Sequence, residues 1–275
     1  MFVVLSEVPP KRRGLIKGFL YRRRGFLPEV RRVTVGETHY FLFELERNRG
    51  ALPLARVRAL TGRLDGWVLA PEGMVLPPDS GLMRTDSRAY RTHLLIRAAM
   101  AFVERQPGGG VWLSVTLIDV DGRCAELAGQ LLRRCGTVCV VTAAGERYCA
   151  ANDHLGRTIG AELILREDAG CVDQSDCVIA PFGLARVGMV TIHPWLFAAD
   201  TPEGWDVARE QVPLPAPYAA HLPRGIAPDV FAAALFERCG LAALSEQMPS
   251  GLMRGNRRLP LEILFDKEAE QPISQ

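Results

Sequence analysis

The chain predicts an α/β protein: a Rossmann-like parallel sheet in the C-terminal lobe, with a smaller α/β N-terminal lobe before it. Three observations carry this. Between Val111 and Gly183, apolar runs of strand length alternate with amphipathic helical segments. Those runs lack polar–apolar alternation, as expected when helices cover both faces of a sheet. Pro107-Gly108-Gly109-Gly110 separates the stretch from a long helical pattern on its N-terminal side.

The elements follow in order. Phe2 to Leu5 is apolar and β-favouring. Leu15, Ile16, Phe19 and Leu20 have helical spacing among basic residues. Val33 and Val35 alternate, Gly36-Glu37 turns, and Tyr40 to Leu45 returns, so residues 31–45 predict a hairpin. Pro53 to Leu60 predicts a short helix with proline in its first turn, and Gly66 to Ala70 a strand. Strand, helix and strand in that order predict a parallel crossover. Pro71 to Gly81 is a connection. Thr85 to Arg105 predicts a long helix capped by Asp86 or Ser87, with Leu94, Leu95, Ala98, Ala99 and Phe102 as its buried stripe.

The central unit then reads strand 111–118, helix 123–135 ended by Gly136, strand 137–142, helix 146–159, strand 161–165 and strand 177–180. Met189 to Ile192 predicts a fifth strand. Residues 194–223 carry many prolines and read as irregular. Asp229 to Cys239 predicts a helix stopped by Gly240, and one apolar run, residues 259–265, remains. Three segments result: a basic lobe over 1–80, a linking helix over 81–106, and a Rossmann-like lobe with an irregular extension over 107–275.

Composition bounds the function. The 275 residues are 48% hydrophobic and 23% charged, ordinary for a globular chain, and no apolar run approaches bilayer-spanning length. The apolar start precedes Lys11-Arg12-Arg13, the reverse of a signal peptide, so a cytoplasmic location is expected. The seven cysteines (124, 135, 139, 149, 171, 177 and 239) form no CxxC pair, which predicts reduced thiols and no zinc site. The five histidines form no HxxxH pair, and His193, before Pro194-Trp195, reads as structural. No GxSxG elbow supports a hydrolase triad. The first 63 residues hold 14 Lys/Arg against 5 Asp/Glu, and the remainder 19 against 26. Arg22-Arg23-Arg24 and Arg31-Arg32, near Tyr21 and Phe26, invite an acidic partner, which makes a non-enzymatic interaction protein one reading. A solvated basic face is the plainer one. No nucleic-acid-binding fingerprint accompanies these residues, so nucleic acid is not the expected partner.

In an open parallel sheet, small molecules bind beyond the carboxyl ends of the strands. The loops there start at Asp119, Thr142, Arg166 and Pro181. The first holds Asp119, Asp121 and Gly122 where a dinucleotide fold places GxGxxG. Two carboxylates repel a phosphate, and their plainer role is to end a strand and cap a helix. In the second loop Thr142, Gly145, Glu146 and Arg147 lie where a Rossmann domain recognises ribose, and Arg147 would reach a 2′-phosphate.

Three strings resemble the shikimate/quinate dehydrogenase family. Gly81-Leu82-Met83-Arg84-Thr85-Asp86 is similar to its G-x-N-T-D motif, Thr142 to Arg147 to its N-R-T-x-E-R loop, and Gln174 to Ala180 to its A-D-x-V-I-N-A strand. The resemblance implies a small substrate lobe before a Rossmann lobe and NAD or NADP as cofactor. It implies a substrate-binding Asp86, while the position of the strand-end loops makes Asp119, Asp121, Gly122, Thr142, Gly145, Arg147 and Pro181 the candidate cofactor contacts. The chain departs from the family at its glycine-rich loop, at Arg84 in place of asparagine, and at the catalytic lysine. Its three lysines are Lys11, Lys17 and Lys267, none in the family's context. These departures leave the catalytic residues unassigned and favour a degenerate relative that binds something else or binds nothing. Ile118-Asp119-Val120-Asp121-Gly122 also looks like the DxDG motif of haloacid-dehalogenase phosphatases, with Asp119 as nucleophile, Asp121 as general acid and Mg²⁺ bridging to phosphate.

Overall fold

The computed structural model describes residues 1–9, 28–47, 52–62, 66–184 and 193–264. The helical pattern at Leu15–Leu20, the Arg22–Arg24 cluster with Tyr21 and Phe26, Lys11, Lys17, and the expected strand at Met189–Ile192 lie outside these residues. The chain forms two compact units, Met1–Tyr90 with Val212–Gln247, and Arg91–Gln211 with Met248–Gln275.

The first unit holds a five-stranded sheet of β1 (Phe2–Val8), β2 (Glu29–Val35), β3 (Thr38–Glu46), β4 (Trp67–Leu69) and β5 (Met83–Arg84), in the order β2-β3-β1-β4-β5. The hairpin β2–β3 is antiparallel about Gly36 (φ 56°), and the other pairings are parallel. Helix α1 (Leu54–Thr61) carries the chain from β3 over β1 to β4, the expected parallel crossover. Alternation of side chains along the strands divides the core. Val3, Leu5, Phe43 and Leu45 face Leu54 and Val57 of α1. Phe2 and Tyr40 stack on each other, and both meet Phe231 edge-on.

Phe231 belongs to the helix Pro228–Cys239, which Gly240 ends in the left-handed region (φ 61°) as expected. This contact corrects the expected three-segment division. Residues 212–247 join the N-terminal unit because a fully buried phenylalanine completes its aromatic cluster. β5 also went unforeseen. The Arg84 side chain donates to the carbonyls of Ala70, Pro71 and Met74, so it braces the connection before β5.

The second unit begins within helix α2 (Arg88–Arg105), whose stripe Leu94, Leu95, Ala98, Ala99 and Phe102 is buried as predicted. Its sheet contains β6 (Ser114–Ile118), β7 (Thr137–Val141), β8 (Ile164–Arg166), β9 (Cys177–Ala180) and β10 (Leu196–Ala198), all parallel, in the order β10-β9-β6-β7-β8. Helices α3 (Ala125–Leu132) and α4 (Cys149–Ile159) make the first two crossovers. The chain builds outward through β7 and β8, then returns to the other side of β6. This is a Rossmann-type order with a topological switch point between β6 and β9. Ile118, Val141, Val172, Val178, Ala180, Leu196 and Ala198 form a core cluster against the sheet.

Several expected boundaries move. The strand expected from Val111 starts at Ser114, because Leu113 N–H bonds the Gly110 carbonyl in a turn that exposes Val111 and Trp112. Gly136 does not stop α3 through a left-handed conformation. A Cβ there would sit 2.3 Å from the Val111 carbonyl oxygen, so close backbone passage is what demands glycine. Residues 145–148 form a 3₁₀ turn before α4. The strand expected at 161–165 is Ile164–Arg166. The fifth position in the sheet goes to β10, inside the segment expected to be irregular. The apolar run at 259–265 contributes to the hairpin of β11 (Gly251–Arg254) and β12 (Arg257–Pro260). Among the described residues, no helix is long and apolar enough to cross a membrane.

Candidate functional site

The parallel sheet brings the loops after β6, β7, β8 and β9 to one edge. The backbone ties the first two together. Asp119 N–H bonds the Val141 carbonyl, Ala143 N–H the Val120 carbonyl, and Thr142 N–H the Arg166 carbonyl. Between these loops lies a concavity of about 540 Å³ lined by Val120, Asp121, Arg123, Ala143, Ala144, Glu146 and Arg147.

Asp119 sits beneath it and is 1% exposed. Its Oδ2 accepts the Cys124 backbone N–H (2.6 Å) and the Tyr148 hydroxyl (2.5 Å), while its buried Oδ1 has no hydrogen-bond partner among the described residues. The carboxylate thus takes an amide at the start of α3, the type of donor a pyrophosphate would otherwise claim. Cys124 N–H lies where the helix was expected to have begun. Burial, then the Asp119 hydrogen bond and charge, push the Tyr148 phenol up from 10.0. Burial and then the Asp119 charge push the Cys124 thiol up to about 12.

These contacts bear out the capping role for Asp119. A phosphatase nucleophile needs an accessible carboxylate, and this one lies buried with Tyr148 closed over the same oxygen. Asp121 is half-buried and pairs with Arg123 at 3.0 Å. Among the described residues, no group of three His, Cys, Asp or Glu side chains is arranged to hold a metal ion.

Gly122 has φ 68°, and a Cβ there would come within 2.7 Å of Arg147 Cδ and 3.0 Å of Ala144 Cβ. Glycine therefore lets the Arg147 stem lie on the first loop, with the exposed side chain lining the concavity. Thr142 is buried. Its hydroxyl donates to the Val120 carbonyl (3.4 Å) and accepts Ala144 N–H (3.1 Å), so it shapes the loop rather than facing solvent. Gly145 is half-buried at the start of the 3₁₀ turn. Pro181 is buried at the end of β9, and Phe182 beside it is 49% exposed. The Arg123 guanidinium lies over the Phe182 ring, 5.0 Å from its centre, and spans the switch point.

Asp121, Gly122, Gly145 and Arg147 therefore gather around the two loops, with Asp119 and Thr142 supporting them from below. Asp86 is in the first unit, where its carboxylate accepts Arg88 N–H at 3.0 Å and caps α2, the second role foreseen for it. Arg123 and Tyr148 escaped the sequence reading, and Phe182 entered it only as part of the loop that starts at Pro181. Arg123 looked like an ordinary first helical residue, and Phe182 is brought to it only by the sheet.

Other candidates resolve into structural roles. His193 is buried, with Nδ1 accepting Trp195 N–H (3.1 Å) and Nε2 2.7 Å from the Ser175 carbonyl oxygen. Arg31 pairs with Glu44 across the β2–β3 hairpin. A second concavity, of about 550 Å³, is lined by Pro194, Arg254, Asn256 and Arg257, but Arg254 is committed to the carbonyls of His193 and Pro194.

No family model matches the sequence, and no curated protein matches it. Among solved structures, the crystal structure of L-tryptophan dehydrogenase from Nostoc punctiforme aligns at 12% identity and a TM-score of 0.27, over 76% of this chain. The alignment spans 63% of that enzyme's chain, so this chain covers less than two-thirds of its length.

Proposed function

We propose that the second unit binds a nucleotide or a comparable small polar molecule at the carboxyl edge of its sheet, without assigning it a catalytic step. The observation that carries this reading is the concavity of about 540 Å³ between the β6 and β7 loops. It lies at the carboxyl edge of the parallel sheet, on the β7 side of β6 and next to the β6–β9 switch point. Two carboxylates (Asp121, Glu146) and two guanidiniums (Arg123, Arg147) line it, so it offers acceptors for ribose hydroxyls and donors for an anionic group. NAD and NADP are the cofactors to test first, with Glu146 toward a ribose diol and Arg147 toward a 2′-phosphate. The amide taken by Asp119 argues for a ligand whose phosphates are held by side chains instead of a glycine-rich loop.

A thermal-shift series with NAD, NADP, AMP, ATP and S-adenosylmethionine at millimolar concentration tests the reading, since a ligand of the folded state raises the melting temperature. At least one should do so, and Arg147→Glu should abolish the shift for an anionic ligand. No shift from any of them refutes the proposal in its nucleotide form.

A further inference from the structure

The sequence leads one to expect seven reduced thiols, and two of them meet. Cys139 lies in the middle of β7 and is buried, and Cys171 lies in the β8–β9 crossover and is partly exposed. Their Sγ atoms are 2.7 Å apart. A disulfide bond is ~2.05 Å long, so closing the pair asks the sulfurs to move by roughly 0.7 Å.

The surroundings hold the Cys171 backbone in place. Ser175 Oγ donates to the Cys171 carbonyl (2.9 Å) and lies 2.5 Å from Thr116 Oγ1. Thr116 is the register partner of Cys139 on β6 and lies 3.6 Å from Cys171 Sγ. Gln174 N–H also bonds the Cys171 carbonyl. Nothing in the proposed ligand site uses this cluster.

We propose that Cys139 and Cys171 are a redox modification site that closes to a disulfide under a peroxide oxidant. Cys171, the accessible member, attacks one peroxide oxygen as its thiolate, giving a sulfenic acid and one water. Cys139 sulfur then attacks the Cys171 sulfur, and the sulfenic hydroxyl leaves as a second water with the Cys139 proton. The two thiols lose two protons and two electrons, and hydrogen peroxide takes them up as it becomes two waters. Burial and the neighbouring Cys171 raise the Cys139 thiol to about 12, which makes Cys139 the resolving partner rather than the point of entry. The cross-link staples the crossover, which has no α-helix of its own, to the sheet.

The test treats the native full chain with hydrogen peroxide, blocks remaining thiols with an alkylating agent, and maps peptides without reduction. The expected product joins the Cys139 and Cys171 peptides with the loss of two hydrogens, and dithiothreitol reverses it. Oxidised wild type should melt roughly 5 °C or more above the reduced form. Cys171→Ser, at the partly exposed position, should show no such shift. Cys139→Val, which keeps the buried position apolar, should leave Cys171 as a trapped sulfenic acid. Full alkylation of Cys171 after oxidation, a bond from Cys171 to any other cysteine, or oxidation of wild-type Cys171 straight to the sulfinic acid would each overturn the proposal.

Discussion

Replacing Tyr148 by phenylalanine isolates the contact on which the first loop depends. Tyr148 is fully buried, and its hydroxyl supplies one of the two hydrogen bonds to Asp119, both made to Oδ2. Phenylalanine keeps the ring and its packing, so the cavity left is small. A hydrogen bond to a charged group contributes about 1.5–3 kcal/mol. The upper half of that range applies here, because Asp119 would keep only the Cys124 amide. A loss of about 2–3 kcal/mol corresponds to roughly 5–10 °C in melting temperature for a chain of this size. Urea unfolding of Tyr148→Phe, Asp119→Asn and the double variant, followed by circular dichroism, measures it as a coupling energy. A Tyr148→Phe midpoint equal to wild type, or additive single effects, refutes the view that this pair holds the loop.

Three further outcomes follow from the packing and the titrating groups. Phe231→Ala should destabilise the first unit by about 3–5 kcal/mol, seen as an early unfolding transition, because it empties the site edge-on to the stacked Phe2 and Tyr40. Gly136→Ala should lower stability by more than about 2 kcal/mol in chemical denaturation, since its Cβ meets backbone rather than a movable side chain. Stability should fall on the alkaline side. Burial raises Cys135 to about 11 and, with the Asp119 charge, Cys124 to about 12, against 9.0 for a free thiol, and Tyr148 is raised above 10.0. Their contribution is whole below pH 9 and is lost as pH rises through the folded-state values, because the unfolded chain ionises first. Urea midpoints should therefore decline from pH 9 upward, and Tyr148→Phe should flatten the part above pH 10.

What the sequence reveals here depends on how local the determining contact is. β9 has its expected bounds, and β7 ends within one residue of them. Each is a run of β-favouring or small apolar residues with turn formers beside it. The helix expected over Asp229–Cys239 with Gly240 as its stop starts one residue earlier, at Pro228, and was equally plain. Its membership of the first unit was not, because that rests on Phe231 meeting Phe2 and Tyr40. β10 has three residues in a proline-rich segment and is a strand only by pairing with β9. The carboxyl-edge loops were legible as a place because strand order and direction locate them. Their interior was not. The Asp119–Tyr148 bond and the Arg123–Phe182 stack each join residues on different crossovers. Arg84 and Asp86, read through a resemblance, serve the first unit as brace and helix cap.

The most direct measurement is an amide chemical-shift titration of the isotope-labelled chain with NAD, NADP and AMP. The shifts should saturate together and concentrate at residues 120–123 and 143–147, with Phe182 following through Arg123. A ligand that binds while leaving those amides unmoved would place recognition elsewhere on the molecule and contradict the reading of the concavity as the binding site.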